Sequence, residues 1–119
     1  MQKPGTPTTK INVGANGAIT ATQTSGKIYA GNYSKAVAYL NVSAQAGTTP
    51  TLDVKFQDSP TGVTGSWVDV PSGSFTQVTT SNTSTRVVLT DIGPYLQAVQ
   101  TLGGTTPSYT YDLTVAGVI

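Results

Sequence analysis

Apolar and polar residues alternate along much of the chain, and this alternation is the clearest structural signal in the sequence. In the stretch KAVAYLNVSA, Leu40 shares one face with the alternate apolar residues, and Tyr39 lies on the opposite face. The stretch TLDVKFQDS repeats the pattern around Phe56. In SYTYDLTVAGVI, Tyr109 and Tyr111 share one face with Leu113. A period of two residues is typical of a strand with one buried face. We therefore expect Leu40, Phe56 and Leu113 in the core.

Shorter runs of the same character are AITATQTS, KIYAG, WVDV, SFTQVTT, TRVVLT and YLQAVQTL. With the clear runs they predict eight or nine short strands, separated by turn residues, and no stretch shows the period of an amphipathic helix. The sequence thus predicts an all-β protein, an antiparallel β-sandwich of jelly-roll or Ig-like topology, with residues 11–119 as one domain. The choice between the two topologies stays open.

The tetrapeptide GTTP occurs twice, at residues 47–50 and 104–107, each time between two alternating runs. Glycine accepts a positive φ, and proline fixes its own φ and has no N–H to leave unpaired where a strand begins. These properties favour a corner between strands over a ligand-binding loop. The offset of 57 residues suggests two related strand–corner–strand units that face each other across the sandwich.

Residues 1–10 (MQKPGTPTTK) contain two prolines and a glycine, and Met1 is their only apolar residue. Such a segment buries too little apolar surface to fold alone, so we expect a flexible N-terminal arm. It also lacks the apolar centre of a signal peptide. We therefore expect synthesis in the cytoplasm without a secretion signal.

The composition predicts a surface with few charges and many hydroxyl groups. Charged residues make up 9% of the chain and the net charge is +1, whereas threonine and serine number 22 and 10. A surface that is polar through hydroxyl groups suits a protein that contacts other proteins. So few charges give no electrostatic footprint for nucleic acid or a membrane surface, and no apolar stretch approaches the roughly 18 residues of a membrane span.

Catalytic chemistry has few candidates, because histidine, cysteine and glutamate are all absent. The best carboxylate pair is Asp53 and Asp69, on the outward faces of predicted strands, and solvated charges opposing Lys55 explain it more simply. No phosphate-binding loop, nucleophile elbow or cluster of metal ligands occurs. We expect no enzymatic activity, no cofactor and no metal.

Aromatic residues are the remaining candidates for contacts. The stretch DSPTGVTGSW is similar to an Asp-box hairpin, but Thr61 stands where the central acid belongs. We expect Trp67 to fill one end of the core rather than to form a sugar platform. Tyr29, Tyr33 and Tyr39 are candidates for an interface, and Tyr39 faces either solvent or a covered sheet.

The stretches LDVKFQDSPTGVTGSWVDVP, SFTQV, GPYLQAV and GGTTPSYTYDLTV resemble small β-sandwich structural proteins of tailed bacteriophages, over about residues 35–115. The resemblance implies a virion protein on the capsid surface: a decoration or cement protein that binds the major capsid protein and stabilises the shell, often as a homotrimer. The alternative is a head-fibre, tail-fibre, receptor-binding or carbohydrate-binding module.

The matched positions are turn and core residues, so the resemblance assigns no site. The candidate partner-binding residues come from the arm and the tyrosines: Lys3, Pro4, Pro7, Lys10, Tyr33 and Tyr39.

Overall fold

The computed structural model describes residues 8–31, 33 and 35–118. Seven strands form one antiparallel sheet, and a single turn of 3-10 helix spans Gly14–Asn16. No α-helix occurs in the described part of the chain. The strands are β1 (Thr8–Asn12), β2 (Gln23–Thr24), β3 (Ile28–Tyr29), β4 (Lys35–Ser59), β5 (Val68–Ser74), β6 (Thr83–Thr90) and β7 (Tyr95–Val118).

Two long strands organise the sheet. Strand β4 has 25 residues and β7 has 24, and they pair antiparallel from Lys35 opposite Val118 to Ser59 opposite Tyr95. Most strands of globular proteins have about 5–6 residues, so strands of this length must bend to enclose a core. The bend lies at the repeated tetrapeptide.

The two GTTP segments lie side by side in the sheet, with Thr48 paired to Thr105. Their backbones match: φ is 112° at Gly47 and 101° at Gly104, and 46° at Thr49 and 45° at Thr106. The sequence interpretation as a corner is confirmed in part. The corners do not face each other across a sandwich, as the sequence suggested: they are neighbours within one sheet, and each bends a strand that continues beyond it.

The bend divides the sheet into two halves. Half A contains β1, β6, residues 35–46 of β4 and residues 108–118 of β7. Half B contains β2, β3, β5, residues 51–59 of β4 and residues 95–103 of β7. The outer strands of half A are β1 and β6, and those of half B are β2 with β3 and β5.

One hydrophobic core joins the inner faces of both halves. Leu40 and Leu113 enter it from half A, and Leu52 and Phe56 from half B, each exposing no more than 1% of its surface. The predicted burial of Leu40, Phe56 and Leu113 is therefore confirmed. Burying such side chains stabilises the fold by about 1.5–3 kcal/mol each.

The all-β, antiparallel prediction is confirmed, but a sandwich of two separate sheets is not. The strand count is seven rather than eight or nine, because β4 and β7 run through corners that were expected to end strands. The predicted strand AITATQTS is reduced to β2 and one isolated bridge between Ile19 and Tyr109.

Only the last three residues of the predicted arm lie within the described residues. Thr8, Thr9 and Lys10, assigned to the arm by sequence, belong to β1 and pair with Ala116, Val115 and Thr114 of β7. The sequence did not predict this pairing, because TTK has no alternating apolar residues. Lys3, Pro4 and Pro7 lie outside the described residues.

Candidate interaction surfaces

The outer face of half A carries a row of side chains that crosses four strands. Lys10 pairs with Thr114, Thr114 with Tyr39, and Tyr39 with Arg86, so all four side chains point the same way. Three strand spacings give this row a length of about 14 Å. Tyr39 is 46% exposed whereas Leu40 is buried, which places Tyr39 in solvent.

The adjacent row is apolar. Val88 pairs with Val37, and Val37 pairs with Ala116 on its other side. Val88 is 42% exposed, so this row presents apolar atoms to solvent. Beyond this row, Lys35 is exposed and points outward as well. We call the surface formed by Lys10, Lys35, Val37, Tyr39, Arg86, Val88 and Ala116 the Tyr39 face.

Two of the sequence-predicted partner residues, Lys10 and Tyr39, therefore lie on one surface, and Tyr33 does not join them. The ring of Tyr33 packs over Gly117, where a Cβ would come within 2.9 Å of it. It lines a cavity of about 30 Å³ at the end of the core, between Ile28 and Ile92. A space of this size holds about one water molecule.

The outer face of half B is organised differently, because its polar side chains bond to one another. Gln97 donates to Gln57 at 2.8 Å, and Gln57 donates to Asp69 at 3.0 Å. Lys55 forms an ion pair with Asp69 at 3.1 Å. The hydrogen bond from Gln57, followed by that from Lys55, lowers the pKa of Asp69 below its usual value.

The carboxylates weighed for hydrolysis each have a partner. Asp53 accepts a hydrogen bond from Gln77 at 2.9 Å, and Asp69 is held by Lys55 and Gln57. A general acid needs a raised pKa, and that of Asp69 is shifted the opposite way. This geometry supports the interpretation of Asp69 as a solvated strand charge opposite Lys55.

An aromatic cluster lies at the end of half B. Tyr29 and Tyr95 pair across β3 and β7 with ring centroids 5.6 Å apart in an edge-on arrangement, and the Lys27 ammonium lies 5.7 Å from the Tyr95 ring centre. Tyr29 is 62% exposed. The expectation that Trp67 fills the core end is wrong: Trp67 is half-buried and lies outside the core of the described residues.

The turn DSPTGVTGSW is held by Ser59, which is 1% exposed. Its Oγ accepts hydrogen bonds from the backbone N–H groups of Thr61 and Gly62, at 3.1 and 2.8 Å, and bonds to the Ser66 hydroxyl. This network closes the turn without the acid of an Asp box. The resemblance to that hairpin is thus a feature of local folding.

Two buried tyrosines were correctly placed on the inner face by alternation, but their polar partners were not foreseen. The Tyr109 hydroxyl donates to the Val78 carbonyl at 3.0 Å, and that of Tyr111 donates to Gln100 Oε1 at 2.5 Å. Burial raises the pKa of both phenols, to about 12 for Tyr111. The bond from Tyr111 links half A to half B through the core. The bond from Tyr109 does so by way of Val78, which forms an isolated bridge with Leu52 of half B.

Within the described ranges, no three Asp, Glu, His or Cys side chains come close enough to hold a metal ion. Among the same residues, no helix has the length and apolar character needed to span a bilayer.

Comparison with known proteins gives a structural match but no family. No protein-family model matches the sequence, and no curated protein matches it. Three solved chains match in fold. One is the SPBc2 prophage-derived protein YomS, with a TM-score of 0.56 and 9% sequence identity, over 98% of this chain and 97% of that one. The described fold is thus similar to that of a prophage-derived protein over nearly its whole length.

Proposed function

We propose that this protein is a bacteriophage virion protein that decorates the outside of the capsid and stabilises the shell of major capsid protein. The observation that carries the proposal is the likeness in fold to the prophage-derived YomS along almost the entire length of both chains. The phage-like sequence stretches point the same way. The capsid role rests on that sequence resemblance.

Stabilisation by decoration follows from mass action. A protein that binds the expanded shell, and not its earlier form, shifts the equilibrium toward the expanded shell with every copy bound. The bound body must be rigid to resist deformation of the shell. A single core shared by two halves of one sheet, with buried hydrogen bonds between them, meets this requirement.

The N-terminal arm supplies one contact in this proposal. Residues 1–7 precede β1 in the sequence, and β1 is an outer strand of half A. An extended segment binds by adding a strand to the edge of a neighbouring sheet. Lys3, Pro4 and Pro7 belong to this segment.

Self-association, with a homotrimer favoured, is the second contact. Strand β6 is an outer strand of eight residues that contains neither proline nor glycine, whereas the outer strand β5 is interrupted by Pro71 and Gly73. Long regular edges invite pairing, and prolines prevent it. Light scattering at a defined protein concentration measures the subunit number, and a monomer at all concentrations would contradict self-association.

Sedimentation with expanded, DNA-free capsid shells tests the proposal. We expect the full chain to bind to saturation and to raise the temperature at which the shells break. Failure of the full chain to sediment with shells would contradict decoration.

Two truncations separate the arm from the body. Deleting residues 2–7 leaves β1 paired with β7, whereas deleting residues 2–10 also removes Thr8, Thr9 and Lys10. We expect both variants to lose most shell binding, with a lower unfolding midpoint only for the longer deletion. Wild-type occupancy by the shorter deletion would contradict the role of the arm.

The rival function, a fibre or carbohydrate-binding module, draws support from the exposed Tyr29, whose ring meets that of Tyr95 edge-on. Exposed aromatic rings with a polar edge are suited to binding surfaces. Glycan-array binding that disappears in a folded Tyr29→Ala variant, and persists in Tyr39→Ser, would favour this rival.

A further inference from the structure

The Tyr39 face differs from the Gln97–Gln57–Asp69 surface of half B, because two of its polar side chains have no partner among the described residues. On half B, Gln97, Gln57 and Asp69 form a continuous hydrogen-bonded ladder. On the Tyr39 face, neither the Tyr39 hydroxyl nor the Arg86 guanidinium has a hydrogen bond or ion pair with any described residue. The surface thus presents donors and apolar atoms together.

Neighbouring residues on half A do have partners, which marks the border of the face. Ser84 donates to Asn41 at 2.8 Å in the next row along the strands. Asp112 accepts a hydrogen bond from the Gly14 backbone N–H at 2.9 Å. The polar side chains of this next row are thus engaged with one another or with the backbone, whereas those of Tyr39 and Arg86 are not engaged with any described residue.

The face is also positively charged in a protein that is nearly neutral overall. Lys10, Lys35 and Arg86 are three of the chain's six basic residues, and all three are exposed. Asp112 lies one row away in the sheet register, and its carboxylate already bonds to Gly14. Asp91 directly follows Thr90, the partner of Lys35, at the end of β6. Asp53 and Asp69 lie on half B.

We propose that the Tyr39 face docks an acidic protein surface. Carboxylates of the partner pair with Lys10, Lys35 and Arg86, and the guanidinium binds one of them through two parallel N–H donors. Tyr39 and Val88 fill the centre, where an apolar body with one polar tip suits a protein interface. The proposal rests on the proposed function, because it gives the chemistry of the contact with the shell.

The same face fits nucleic acid less well. The affinity for nucleic acid rises with the number of phosphates that the protein neutralises. Three cations spread around an exposed valine and tyrosine neutralise few phosphates. A protein surface supplies both the carboxylates and the apolar atoms that this arrangement matches.

A defined probe tests the face without a phage shell. We would titrate the 15N-labelled full chain with a poly-glutamate peptide and follow its amide NMR signals. We expect the largest shifts at Lys10, Tyr39, Arg86 and Val88. Because exposed charges are screened over about 3 Å at 1 M salt, binding should be lost there.

Variants locate the contact. Arg86→Glu should weaken peptide binding roughly tenfold, since it replaces an attraction by a repulsion. Lys27→Glu is the matched control: it reverses an exposed cation on half B and should weaken binding less than about twofold by long-range charge alone. Both changes are on the surface, and equal urea midpoints confirm that the fold is kept.

Three outcomes overturn the proposal: shifts centred outside the face, equal loss in Arg86→Glu and Lys27→Glu, or tighter binding of a short DNA duplex than of the peptide.

Shell sedimentation of the same variants, including Tyr39→Ser, separates this proposal from the proposed function. If the protein binds the peptide through the Tyr39 face but does not sediment with shells, the docking proposal stands and decoration is contradicted. If Arg86→Glu and Tyr39→Ser bind shells as well as the wild type does, the docking proposal for the Tyr39 face is contradicted and decoration stands.

Discussion

The paired corners can be tested by adding one methyl group. Gly47 has a φ of 112°, and a Cβ built there would lie 2.6 Å from the Thr106 carbonyl oxygen and 2.9 Å from that of Thr105. Both oxygens belong to the backbone of the other corner, which cannot rotate away as a side chain does. Gly47→Ala therefore forces β4 and β7 apart at the bend, as well as straining its own backbone.

The chain offers a control that separates the two effects. Gly17 has a φ of 114°, and a Cβ there would meet no atom within 4 Å. Gly17→Ala should cost only the backbone strain, about 1–3 kcal/mol. Gly47→Ala should add the cost of overpacking, another 1–3 kcal/mol or so, for a total of about 2–6 kcal/mol.

Urea unfolding followed by tryptophan fluorescence and circular dichroism measures both free energies of unfolding. Gly104→Ala should resemble Gly47→Ala, because its Cβ would lie 2.6 Å from the Thr49 carbonyl oxygen. The double variant should cost less than the two single changes added together, by about 0.5–3 kcal/mol, because one separation of the strands relieves both contacts. Equal losses in Gly17→Ala and Gly47→Ala would refute the contact between the corners.

Three further predictions concern buried and exposed polar groups. Tyr111 has its pKa raised to about 12, so the unfolded chain ionises first and stability should fall by about 1–3 kcal/mol between pH 10 and 12; pH-dependent urea unfolding should show a smaller decline in Tyr111→Phe. Ser59→Ala leaves two backbone N–H groups of the turn without their acceptor and should cost about 1–3 kcal/mol by the same assay, and a neutral result would contradict the network. Asp69 has a lowered pKa, so its stabilising effect is present above the ordinary Asp pKa and fades as the pH falls. Asp69→Asn should therefore shift the urea midpoint only slightly at pH 7, and the shift should vanish in acid.

The local part of the fold was predictable from sequence. Alternation placed Leu40, Phe56, Tyr109 and Leu113 on inner faces, and all four are buried. Alternation works here because each strand has one wet and one dry face, so the sequence must repeat every two residues. The same logic put Tyr39 opposite Leu40, where it is exposed.

The pairing of distant segments was not predictable, because no local pattern specifies it. The GTTP sequence signals a bend, but whether the chain then changes partner or keeps it depends on the strand alongside. In β4 and β7 the bends coincide, so the same two strands pair on both sides of the corner and one sheet replaces two. Short edge strands such as β2 are fixed by that sheet rather than by their own residues.

The sequence predicted only part of the Tyr39 face. Lys10 was assigned to an arm and Tyr39 to an interface, and only the strand register brings them into one row with Arg86. Arg86 and Val88 gave no signal in the sequence, because an exposed residue on an alternating strand is unremarkable by itself. The prediction that Trp67 fills the core end was wrong. Tryptophan is highly buried on average, whereas Trp67 is only half-buried.

The location of the protein in the phage particle tests the central claim most directly. Quantitative mass spectrometry of purified virions, and of heads from which the tails have been removed, measures its copy number against the major capsid protein. Decoration predicts a high copy number that remains with the tailless heads. A few copies that leave with the tails, or no copies in the particle, would contradict it.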